Sequence, residues 1–208
     1  MSIAAGEFGQ WLQQMRAALR GETGSDVPCG DCRGCCVSGY PIVLRDTDAA
    51  IARQLSPQFL AEAGGLQYMT ARDDGTCPML RAGNCSVYAQ RPQTCRDYDC
   101  RIFAAAGVLP GSAQRQVINE RVAAWRFEYA GETERLAHAA VQAAAAFIRR
   151  VAGTPVAPQF PRTPTGAAVL ALKCWPEFVK ASTPALGDAE LATVVAAASA
   201  RFDQGGAP

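Results

Sequence analysis

Apolar residues recur at spacings of three and four near the N-terminus, as Phe8, Trp11, Leu12, Met15 and Leu19, with Gln10, Gln13, Gln14 and Arg16 between them. This pattern predicts a short amphipathic helix ending near Gly21, its Trp and Phe stripe packed on the chain's own core. The period then shortens. Tyr40-Pro41-Ile42-Val43-Leu44 is a β-prone run, after which Asp46 or Thr47 caps a helix bearing Ala50, Ile51 and Leu55. Ser56-Pro57 opens another turn or two of helix, which Gly64-Gly65 stops. Residues 66–71 predict a second short strand able to pair with the first, and Arg81-Ala82-Gly83-Asn84 reads as a turn.

From Ser112 onward the spacing of three and four returns. Val117, Ile118, Val122, Trp125 and Tyr129 share one face, and Leu136, Ala140, Ala144, Phe147, Ile148 and Val151 continue it beyond Gly131. Two antiparallel helices and one broken helix fit this equally well. Pro155, Pro158, Pro161 and Pro164 make residues 152–166 an extended link, and a last helix is expected from Asp188 to about Phe202. The expected fold is mainly α with a loop-rich, cysteine-dense region and at most two short β-strands. Three parts are expected: an N-terminal helix at 1–24, a cysteine domain at 25–105, and a helical region at 106–208 containing the proline link.

Composition changes this picture in one respect. A formal charge of +1 and an apolar fraction of 49% describe an ordinary globular chain and give no electrostatic reason to expect nucleic-acid binding. Cysteine is different. Of nine cysteines, all but Cys174 fall between Cys29 and Cys100, as Cys29, Cys32, Cys35, Cys36, Cys77, Cys85, Cys95 and Cys100. The N-terminus has no secretory pattern and no apolar run is long enough to span a bilayer, so a cytoplasmic location without membrane insertion is expected. Stable disulfides are uncommon in that compartment, and an odd total weighs against complete pairing. Redox thiols and metal ligands are the stronger readings.

Cys29, Cys32 and Cys35 are two residues apart each time, a spacing that lets thiolates converge from a tight loop, with Gly30 and Gly34 supplying positive backbone angles. Cys36 is an awkward partner for Cys35 on a single tetrahedral ion, so more than one metal atom is expected. The run opens like a bacterial ferredoxin, but no ligand follows three residues after Cys35, which excludes that fold. Eight thiolates around two zinc ions would carry a charge of about −4, which Arg33, Arg81, Arg91, Arg96 and Arg101 lie close enough in sequence to offset.

Cys29-x2-Cys32-x2-Cys35-Cys36, then Cys77-Pro78-x-Leu80, Cys85-x2-Tyr88-x2-Arg91-Pro92-x2-Cys95-Arg96 and Cys100, resemble the YkgJ-like cysteine-cluster proteins, the CxxCxxCC zinc- or iron-chelating family. The resemblance runs from about Pro28 to Arg101. It implies iron or zinc chelation, often as an iron–sulfur cluster, with all eight cysteines as the metal set. The family is also related to flagellin lysine N-methylases, but no Gly-rich loop after a strand carries that activity to this chain.

Two functions therefore stand at the sequence level: an iron–sulfur or polynuclear iron protein with a redox or enzymatic role toward a protein or small molecule, and a non-catalytic zinc module or metal carrier. Arg91, Arg96 and Asp97 are expected to support the centre from behind its ligands. Tyr88 and Tyr98 are expected to be structural, His138 an ordinary helix histidine, and Cys174 a small buried hydrophobe.

Overall fold

The computed structural model describes residues 2–25, 27, 32–112, 115–179 and 186–205. In chain order the strands and helices are β1 (Ile3–Glu7), α1 (Phe8–Leu19), β2 (Ile42–Leu44), α2 (Ala49–Ala52), β3 (Leu60–Ala63), β4 (Leu66–Met69), β5 (Leu80–Arg81), β6 (Asn84–Cys85), α3 (Gln93–Asp97), α4 (Arg101–Ala106), α5 (Gln116–Ala124), β7 (Trp125–Glu128), α6 (Glu132–Val151), α7 (Pro164–Cys174), α8 (Pro176–Val179) and α9 (Asp188–Asp203). The chain divides into two units. One comprises residues 1–23, 100–110 and 122–208, and the other residues 24–99 and 111–121.

The helical unit buries the apolar faces of α1, α4, α6, α7 and α9. Phe103, Val141, Ile148, Leu172 and Val195 are fully enclosed, each side chain contributing about 1.5–3 kcal/mol by leaving water. The N-terminal helix is where its periodicity put it, and Phe8, Trp11, Leu12 and Met15 are buried on its inner face. Phe8 stacks on His138 with ring centroids 4.4 Å apart. Arg16 is buried too, donating to the Leu172 carbonyl while its guanidinium lies 4.6 Å above the Phe202 ring. Thr163 caps α7 by accepting from the Gly166 amide at 3.1 Å, and Pro164 takes the first helical position.

The cysteine-rich unit is built on an antiparallel sheet of order β2-β4-β3. Leu44, Ile51, Leu55, Met69 and Met79 form its own small core, against which Ile42, Phe59, Leu60, Val87 and Cys77 pack. Beside it, β5 and β6 make a minimal hairpin pairing Leu80 with Cys85.

The expectation of at most two strands is overturned: the described residues hold seven strands in three sheets. The two anticipated strands do pair, Ile42 opposite Met69 and Leu44 opposite Gln67. The others arose where helix was expected or nothing was. Residues 60–63 continue the Ser56-Pro57 segment as strand β3, because Gly64 (φ +58°) and Gly65 (φ +74°) form a hairpin turn instead of a helix stop. Trp125 to Glu128, read as helix face, form β7, which pairs in parallel with β1.

Candidate metal centre

Three segments of the cysteine-rich unit carry its described thiols. Cys32, Cys35 and Cys36 lie on the loop 32–38, which makes a single 3-10 turn at Cys35–Val37. Cys77 precedes the β5–β6 hairpin, Cys85 lies in β6, and Cys95 sits on α3. Cys29 and Gly30 lie outside the described residues. Gly34 does not take the positive φ expected of it, having φ −49° and ψ −49°. Its role is close approach: a Cβ there would lie 3.1 Å from the Ile118 backbone, so a side chain would push the loop and α5 a few tenths of an ångström apart.

Main-chain hydrogen bonds join the two cysteine groups. The Cys77 amide donates to the Cys36 carbonyl at 2.7 Å, and the Gly39 amide to the Gly75 carbonyl at 2.9 Å. Arg91-Pro92 delivers Cys95 as its spacing suggests, the Cys95 and Arg96 amides both donating to the Pro92 carbonyl. Helix α3 is in turn fastened to β2 and its turn. Thr94 donates to the Val43 carbonyl at 2.7 Å, and the buried Asp48 carboxylate accepts from the Gln93 and Arg45 amides at 3.0 Å each. Nothing in the motif pointed to Asp48 or Thr94, because their work is done across the fold.

The thiols are close enough to sense one another. Burial, followed by the charges of Cys35, Cys77 and Cys85, pushes the Cys95 thiol up to about 12, with Arg91 opposing. Burial also raises Cys77, where Cys85 and Cys35 add to the effect and Arg72 opposes it. Cys35 is exposed as a residue, yet its hydrogen bond with Cys36 and the burial of its sulfur push its thiol far above the ordinary range. The Gly34 amide donates to Cys32 Sγ at 3.4 Å, the kind of bond that steadies a sulfur ligand.

Cys35, Cys77, Cys85 and Cys95 are gathered but not closed. Among the described residues, no three His, Cys, Asp or Glu side chains converge at metal-binding distance. The donor set fits a thiophilic metal in its chemistry: it is all sulfur, and Arg72 and Arg91 lie near enough to offset thiolate charge.

The remaining candidates have partners of their own. Cys100 belongs to the helical unit, where its sulfur accepts from the Trp125 indole at 3.3 Å. Arg101, in the same unit, donates to the Ala5 carbonyl at 3.1 Å. Arg33 lies against Gly83, Arg81 is exposed, and Arg91 stacks over the exposed Tyr88 ring at 4.4 Å. Arg96 holds Gln93, while Asp97 pairs with Arg45 at 2.8 Å and lends its carbonyl to Ser25. Tyr98 lies 6.3 Å from Tyr40, ring to ring. His138 is in the helical unit, 2.6 Å from the Tyr129 hydroxyl, and burial lowers its pKa. Cys174 is fully buried, which raises its thiol to about 12.

Residues 28–121, a little under half of the chain, match the family model CxxCxxCC, described as "Putative zinc- or iron-chelating domain". This stretch is a CxxCxxCC domain. No curated protein and no solved structure matches the chain. The CxxCxxCC domain begins just before the first cysteine run and ends in α5, so it takes in all eight clustered cysteines and most of the cysteine-rich unit. No helix among the described residues is long and apolar enough to cross a membrane.

Proposed function

We propose that the CxxCxxCC domain holds a polynuclear iron or iron–sulfur centre with a redox or enzymatic role toward a protein or small molecule. One observation carries this: thiols from three separate segments, Cys35, Cys77, Cys85 and Cys95, lie within reach of one another's charge. The paired thiols of Cys35 and Cys36 strengthen the polynuclear reading, since two adjacent sulfurs on one side serve two metal atoms more readily than one. When bound, such a centre supplies one-electron chemistry or a Lewis acid. The chain's own part is to give up thiol protons, hold the sulfurs in register, and spread arginine charge around them.

The zinc reading is favoured by a different observation. Cys77 packs on an apolar core, and its loop is tied into the sheet region, as suits a metal that staples structure. Anaerobic purification followed by iron, zinc and acid-labile sulfide analysis separates the two. A coloured protein with iron and sulfide supports the redox centre. A colourless one with stoichiometric zinc replaces it with the structural module.

A further inference from the structure

No sequence motif marks Arg72, yet its guanidinium is heavily engaged. It makes four hydrogen bonds: Nη1 to Thr76 Oγ1 at 3.1 Å, to the Cys77 carbonyl at 2.9 Å and to the Leu80 carbonyl at 3.3 Å, and Nη2 to the Pro78 carbonyl at 2.7 Å. Three carbonyl oxygens of one short loop thus face a single cation. Turned inward together they would repel one another, and only a planar donor fork of the arginine type reaches all of them at once.

The main chain holds Arg72 in place for this. Its amide donates to the Thr76 carbonyl at 2.8 Å, and its carbonyl accepts from the Gly75 amide at 2.9 Å, closing the turn that carries the loop. Asp74 Oδ1 secures the same turn by accepting from the Thr76 amide and hydroxyl. The loop shaped in this way presents Cys77, whose amide bonds to the Cys36 carbonyl, and leads into the strand that pairs with Cys85.

We propose that Arg72 is the positioning residue of the metal centre: its guanidinium fixes the Cys77–Leu80 turn so that the Cys77 sulfur meets the sulfurs of the other two segments. This rests on the metal-centre reading above. Arg72 touches no metal itself, and acts through the backbone of a ligand. Replacing groups of this kind typically weakens metal affinity ~10–100-fold.

The test uses the full chain with Co(II) as the probe, measuring affinity by competition with a chelator and the sulfur-to-cobalt charge-transfer band per bound ion. R72A should bind cobalt ~10–100-fold more weakly, with a weaker band, because one sulfur is no longer held in place. R72K, which keeps the charge but loses the fork, should fall between R72A and the parent chain. R53A, at an exposed arginine, should match the parent. Parent-like affinity and band in R72A would overturn the proposal. If R72A fails to fold by circular dichroism, R72Q and R72K decide: parent-like values in both would overturn it, and weakened binding with a reduced band would support it. A parent chain that takes up no cobalt, zinc or iron defeats the metal-centre reading itself, a result distinct from unaltered binding in the variants.

Discussion

At the residue scale, the decisive property of the cysteine cluster is how strongly the Cys77 and Cys95 thiols hold their protons. Burial and neighbouring sulfur raise Cys95 to about 12, and Cys77 moves the same way. Metal therefore has to displace protons, and its affinity should fall as pH falls, with proton release on binding visible by calorimetry in buffers of different ionisation enthalpy. Binding with no proton release would contradict it. In the metal-free chain the sign works on stability as well. A thiol with a folded-state pKa above its unfolded one favours the folded state fully below about pH 9. That stability should decline as pH rises toward 12, and chemical denaturation across this range would show it. The eight cysteines stand out in the sequence because thiols at such density and spacing have few uses. Arg72, Asp48 and Thr94 do not, because an isolated Arg, Asp or Thr carries no pattern until folding shows which carbonyl or amide it meets.

At the element scale, long periodic segments were readable and short paired ones were not. Helix α1 has an unbroken apolar stripe, and α9 begins at Asp188 as its sequence suggests. β7 illustrates the opposite case. Trp125 continues the helical spacing of Ile118 and Val122, so only pairing with β1, near the N-terminus, converts the segment to strand. In β3, Ala61-Glu62-Ala63 favours helix by propensity, and the pairing with β4 through two left-handed glycines overrides it. Replacing Gly65 by alanine should cost about 1–2 kcal/mol, the penalty of a side chain in that conformation, measured by urea denaturation. An unchanged midpoint would mean that the hairpin turn is not needed.

At the scale of the whole molecule, each unit has a core of its own, and the residues that match the CxxCxxCC model fall mostly in one of them. Composition could not reveal this division, because the cysteine-rich unit is assembled from two stretches and the helical unit from three. Phe103→Ala, at a fully buried position of the helical unit, should cost about 3–5 kcal/mol of stability while leaving metal per folded chain unchanged. Loss of metal from folded F103A would show that this core supports the centre. The central claim is that cysteines from both sequence groups share one centre, and metal content of Cys35→Ser and Cys95→Ser chains tests it most directly. Each substitution alone should lower bound metal, because each removes a sulfur from the same site. Metal content equal to that of the parent in both variants would contradict a shared centre.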